Sequence, residues 1–144
     1  MGRKDMLEQE IIKRLITAAL DAREKSYAPY SSFMVGAAVY TENGQIYSGC
    51  NVENSSYGAA NCAERTAIYK AVSEGHRNIK AVAVVAGMKF EKTVYTSPCG
   101  ICRQVIAEFG DDDTYIIMAV SPDEYKIVTL NELLPYSFDF NSYK

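Results

Sequence analysis

Cys99-Gly100-Ile101-Cys102 sets two thiols three positions apart, directly after Pro98. That spacing serves a redox dithiol or half of a metal site, and alone it does not choose. A third thiol, Cys62, lies upstream in Cys62-Ala63-Glu64-Arg65. If both segments open helices, the exposed backbone N–H groups at each start favour the thiolate form. Three thiolates occupy three tetrahedral positions of Zn²⁺ and leave the fourth for water. That is the catalytic arrangement, since a structural zinc site is closed by four protein ligands. Glu64, two residues past a ligand, can lean over the open position without being a ligand. A carboxylate there can take a proton from water and return it to a substrate atom. Zinc with three thiolates carries net negative charge and acidifies water less than a site of neutral His ligands. Arg65 and Arg103 are the candidates to draw charge from the sulfurs.

The elements that must position these groups follow from periodicity. Leu7, Ile11, Leu15, Ala18, Ala19 and Ala22 predict a helix over about 5–25, broken before Pro29. Strands over Val35–Tyr40 and Gln45–Cys50 flank Asn43-Gly44, a strong hairpin signal. Residues 51–58 read as a polar, irregular loop. A second helix runs from Cys62 to near Gly75, and Lys80–Gly87 forms an apolar strand covered on both faces. A third helix begins around Cys99 and ends at Gly110, a residue suited to a C-terminal cap. Strands over Thr114–Val120 and Tyr125–Val128 follow, then one helical turn before Pro135. The expectation is a single domain over 1–144 of α/β class, with a mixed five-stranded sheet between helices.

Composition narrows the function. The chain has 144 residues, 48% apolar, 23% charged and 11% aromatic, which excludes a disordered, collagenous or coiled-coil protein. Such a length holds a core without disulfide staples. A net charge of −3 offers no field for a polyanion, so a nucleic-acid partner is not expected. No apolar run reaches membrane-spanning length, and the first residues resemble neither a signal peptide nor a myristoylation site. The expected setting is the cytoplasm, where thiols stay reduced. Among the remaining reactive residues, Cys50 reads as a buried apolar thiol, although it could be a fourth ligand. His76, the only histidine, reads as a solvated turn residue, and Asp111-Asp112-Asp113 as a solvated turn.

A Cys₃ set, Pro-Cys-x-x-Cys and a non-ligand Glu match the signature of zinc-dependent base deaminases. The chain further resembles the small cytidine deaminase family, with a three-layer α/β/α fold, over nearly its whole length. The matching segments are Tyr27–Ala38, Gly49–Gly58, Cys62–Ala67, Pro98–Gln104 and Leu133–Phe138. The resemblance implies one zinc per subunit on Cys62, Cys99 and Cys102, with Glu64 as the proton shuttle in conversion of cytidine to uridine and ammonia. It implies that Asn51 and Glu53 bind the ribose 3′-hydroxyl and that Phe33 packs against base and sugar. It also implies a homotetramer whose neighbouring subunit closes each site through the loop Ser55–Tyr57 and through Phe138, stacked on the base. Contacts confined to the 3′-hydroxyl leave room for 2′-deoxycytidine, within pyrimidine salvage. Rival readings are a blasticidin S-type aminonucleoside deaminase, a thiol oxidoreductase and a non-catalytic zinc-stapled binding domain. The segment 49–58 favours a plain nucleoside, and Glu64 separates an enzyme from a staple.

Overall fold

A computed structural model describes residues 7–140. The helix α1 (Gln9–Arg23) is followed by strands β1 (Phe33–Thr41) and β2 (Ile46–Cys50) and helix α2 (Ala63–Ser73). Strand β3 (Ile79–Met88), helix α3 (Gly100–Phe109), strands β4 (Tyr115–Ser121) and β5 (Glu124–Thr129) and the short helix α4 (Leu130–Leu133) complete the order. The sheet is five-stranded in the order β2-β1-β3-β4-β5. It is mixed: β3 and β4 are parallel, while β1 runs antiparallel to both β2 and β3 and β5 antiparallel to β4.

Alternation along the strands builds two cores. Ala38, Ala81, Ala83, Val85, Ile117 and Ala119 face one way and bury Leu15, Ile16 and Ala19 of α1. Ala37, Val39, Val82 and Ile116 face the other way and meet Ala67, Ile68 and Ala71 of α2 and Ile106 of α3. The expected three-layer α/β/α arrangement is therefore what the structure shows. The run from Ala81 to Ala86 is wholly buried, as a central strand covered on both faces requires.

Small residues set how closely the helices approach. A Cβ on Gly36 would lie 1.8 Å from the Ala19 carbonyl oxygen and 2.6 Å from the Arg23 nitrogen. A Cβ on Gly49 would lie 2.7 Å from the Ala67 nitrogen, so α2 packs directly over β2. The direction of the strands decides where the helices begin. Because β1 opposes both β2 and β3, those two run the same way, and each leads into a helix on the same face. The starts of α2 and α3 therefore meet beyond the carboxyl ends of β2 and β3, the crevice where open α/β sheets bind ligands.

Some local expectations are corrected. The expected start of α1 at residue 5 lies outside the described residues, and the helix ends at Arg23, two residues early. The β1–β2 turn has positive φ only at Gly44 (82°), with Gly44 N–H donating to the Thr41 carbonyl at 3.0 Å. It is thus a type I turn closed by a left-handed glycine, not the type I′ turn that Asn-Gly favours. Gly110 ends α3 at φ −121°, so it is no left-handed cap; a Cβ there would lie 2.3 Å from Thr114 Oγ1. Gly75, at φ 95°, is the glycine that caps a helix, with His76 N–H donating to the Ala71 carbonyl at 2.9 Å. His76 itself is half-buried against Tyr47, with ring centroids 5.6 Å apart, and not fully solvated.

Gly36→Ala is expected to destabilise the protein by about 3 kcal/mol or more, because helix backbone and not a flexible side chain blocks the new methyl group. Urea unfolding measures this, and a loss below about 1 kcal/mol would contradict the packing described.

Candidate active site

Cys62 and Cys99 are the N-cap residues of α2 and α3. Cys102 follows in the first turn of α3. The three Sγ atoms lie within 4.8 Å of one another, and Cys62 Sγ and Cys99 Sγ are 3.8 Å apart. Sulfurs on one tetrahedral zinc at about 2.3 Å stand roughly 3.8 Å from each other, so the donor set fits zinc in kind and spacing. Cys50 is not in this cluster. It is half-buried and its thiol donates to the Lys25 carbonyl at 3.4 Å, which corrects the expectation of a fully buried thiol.

The electrostatics of the cluster also call for a cation. A hydrogen bond from Cys102 pulls the Cys62 thiol down to about 5; burial opposes this, and Arg65 and Cys99 assist it. The same hydrogen bond, with burial and the neighbouring negative charges, pushes the Cys102 thiol up. Crowded thiols without a cation cannot all ionise; a divalent ion at their centre removes that conflict. Glu64 sits in the first turn of α2 and is only 4% exposed. Burial raises its carboxyl to about 7, and the Cys62 charge adds to this, while its own backbone N–H and Arg65 oppose it.

The two arginines separate in the structure. Arg65 reaches back one turn and donates from Nη2 to Cys62 Sγ at 3.2 Å. Burial works against its charge, but hydrogen bonds to Cys62 and Cys102 more than offset that, so its pKa is raised. Its Nε is buried without a hydrogen-bond partner among the described residues. Arg103 points elsewhere, which corrects its expected contact with sulfur. Its Nε donates to the Pro98 carbonyl at 2.7 Å, its Nη1 to the Leu133 carbonyl at 2.8 Å and its Nη2 to Ser97 Oγ at 2.5 Å. Arg103 thus holds the turn that carries Cys99 and touches no thiol itself.

Beside the thiols, the start of β1 and the loop after β2 are bound into one polar platform. Asn51 is 9% exposed; its Oδ1 accepts from Val35 N–H at 2.9 Å and its Nδ2 donates to the Phe33 carbonyl at 2.8 Å. The amide therefore extends the edge of β1 and fixes half-buried Phe33. Glu53 accepts the N–H groups of Tyr30 at 3.0 Å and Ser31 at 3.2 Å and the Ser31 hydroxyl. The Ser31 hydroxyl, against slight desolvation and with the two N–H groups, holds the carboxyl below its ordinary value. Ser32, at φ 60°, is a strained residue that turns the chain between Ser31 and Phe33. The loop expected to be irregular is pinned by bridges of Val52 to Tyr27 and to Asn61, and has one 3₁₀ turn at Tyr57–Ala59. Tyr30 Oη lies 2.6 Å from Ser55 Oγ.

A cavity of about 310 Å³ opens beside this platform, lined by Tyr30, Ser31, Glu53, Asn54, Tyr57 and Ala60. Tyr57, at the wall of this cavity, is 81% exposed, while Phe138, 59% exposed, borders a different cleft. Tyr30 and Ser31 were not singled out from the sequence. Their signal was their place in the segment Tyr27–Ala38, where hydrogen-bonding side chains follow a proline turn.

Comparison with known proteins agrees with this geometry. The family described as the cytidine and deoxycytidylate deaminase zinc-binding region matches residues 9–118. A cytidine deaminase of Sporosarcina psychrophila is 48% identical over 127 residues, 88% of this chain and 90% of that protein. A probable cytidine deaminase of Dictyostelium discoideum is 43% identical over 134 residues, 92% of this chain and 86% of that protein. The crystal structure of cytidine deaminase from Burkholderia pseudomallei superposes with a TM-score of 0.78 at 44% identity, covering 87% of this chain and 97% of that one. With its thiol cluster inside the matched region, the chain belongs to the cytidine and deoxycytidylate deaminase zinc-binding family.

Proposed function

We propose that this chain is a zinc-dependent hydrolase that converts cytidine to uridine and ammonia, and 2′-deoxycytidine to 2′-deoxyuridine, in cytoplasmic pyrimidine salvage. The observation that carries the reading is the convergence of three thiols from two helix starts beside one buried carboxylate. Two relatives named cytidine deaminase, each 48% identical over most of the chain, support the substrate. Cys62, Cys99 and Cys102 hold one zinc per subunit. When bound, the metal supplies Lewis-acid activation of a water molecule.

The rest of the chemistry belongs to Glu64. Its carboxylate takes a proton from water as the oxygen bonds to C4 of cytosine, and delivers that proton to N3. It then carries the second proton to the exocyclic amine, so the C4–N bond breaks and ammonia departs. Burial suits this task, because it keeps bulk water from competing for the carried proton. Arg65 offsets the charge of the sulfurs. Asn51 and Glu53 bind the ribose 3′-hydroxyl: one Nδ2 hydrogen of Asn51 is free of Phe33, and Glu53 Oε2, which accepts the Ser31 hydroxyl while Oε1 accepts two N–H groups, keeps an unused lone pair. Phe33 flanks the base and sugar, and the 310 Å³ cavity touches this site through Glu53 alone among the residues assigned to substrate, zinc and proton transfer, apart from Tyr57 at its wall.

Exposure of Tyr57 and Phe138 supports a site finished by a neighbouring copy, in a homotetramer. A base lying on so open a surface would keep its water, which a deamination site must exclude. Four free cysteines suit the reducing cytoplasm. No helix among the described residues is long and apolar enough to cross a membrane.

Glu64→Gln should lower turnover of both nucleosides by at least roughly 10²–10⁴-fold while zinc content and the unfolding midpoint stay near wild type. An ultraviolet assay measures this; substantial residual turnover would contradict the role. Arg65→Gln should keep the fold but lower turnover or zinc retention by about 10–100-fold. Unchanged values of both would refute charge compensation. Specific activity should fall on dilution to nanomolar concentration as the oligomer dissociates, followed by sedimentation on the same samples. A fully active monomer would rule out the shared site.

A further inference from the structure

Directly after the last thiol of the cluster, α3 presents two consecutive polar side chains that grip another part of the chain. Arg103 Nη1 donates to the Leu133 carbonyl at 2.8 Å, and Gln104 Nε2 donates to the Phe138 carbonyl at 2.9 Å. Between these anchors the backbone is strained: Tyr136, a bulky residue, has φ 55° and is fully exposed. Such a conformation persists only where the surroundings determine it.

Burial does not hold this segment. Phe138 and Phe140 are each more than half exposed, and a cleft of about 530 Å³ opens beneath, bordered by Gln104, Glu108, Asp111, Leu130 and Phe138. With little apolar area committed, polar anchors set where the backbone runs. Both anchors sit on the helix whose N-cap is Cys99 and whose first turn holds Cys102.

We propose that Gln104 is a positioning residue for substrate binding, fixing the Phe138 backbone so that its ring is presented to the base held in the neighbouring subunit's site. The inference rests on the reading of Phe138 as the aromatic group that covers the base. Gln104 acts only through Phe138. An aromatic group stacked on the base binds ground state and transition state alike, so its misplacement raises KM and spares kcat.

Gln104→Glu tests this, since it keeps the size of the side chain and sets an acceptor against the Phe138 carbonyl. KM for cytidine should rise about 3- to 10-fold, with kcat and zinc content within about twofold of wild type. Phe138→Ala should raise KM by itself, and adding Gln104→Glu to it should change nothing further. Chymotrypsin should cleave after Tyr136 or Phe138 faster in Gln104→Glu than in wild type, a readout independent of turnover. Wild-type KM in Gln104→Glu alongside a raised KM in Phe138→Ala would overturn the proposal, as would additive effects in the double variant. Faster cleavage in Gln104→Glu, with KM unchanged in both single variants, would overturn the base-covering role of Phe138, and positioning for binding with it, while leaving the anchor itself in place. Unchanged cleavage would overturn the anchor.

Discussion

Two helices begin at one point because β2 and β3 run in the same direction on either side of β1. Each strand passes into a helix on the same face, so two sets of unsatisfied backbone N–H groups, and two partial positive charges, converge. Thiolates are the side chains that such a place favours, and both N-caps are cysteines. Glu64 and Arg65, in the first turn of α2, then meet the cluster without any long connection. The proposed proton carrier and charge compensator are set by the same helix start that sets Cys62.

The same end of the sheet also bears the polar platform proposed to hold the ribose. Phe33 opens β1 and pairs with Met88 at the end of β3, while Asn51 directly follows β2. Arg23, 8% exposed at the end of α1, locks these strand ends by donating to the Met34 carbonyl at 3.0 Å and the Gly87 carbonyl at 2.9 Å. A buried arginine is tolerable there because its donors meet backbone acceptors left over where strands stop. Asn51 and Glu53 are part of the same scaffold, each binding backbone of the segment 30–35. Groups already held in place by such bonds lose little freedom when a sugar hydroxyl arrives.

Much of this was legible in the residues. Apolar periodicity located every strand and helix to within a few residues, because each element buries one face or two and the pattern records it. The thiol spacing and Glu64 were legible because metal chemistry demands those residue types. Local turn chemistry was less so. Gly110 and Gly44 are both glycines at element ends, yet one avoids Thr114 and the other supplies a left-handed φ. Arg103 looked like a partner of sulfur by adjacency to Cys102, but its position on the helix turns it toward Pro98 and Leu133. The grip of Gln104 on Phe138 joins residues far apart in the chain, and no periodicity encodes it.

Three of the four cysteines, and only three, are proposed to hold one zinc ion. Titrating the folded protein with a thiol-modifying reagent, while a chromophoric chelator reports released metal, tests it most directly. One zinc per chain should be released in step with modification of three thiols and with loss of cytidine conversion, while Cys50 reacts independently. Release of zinc in step with four thiols, or retention of activity after complete metal loss, would contradict it.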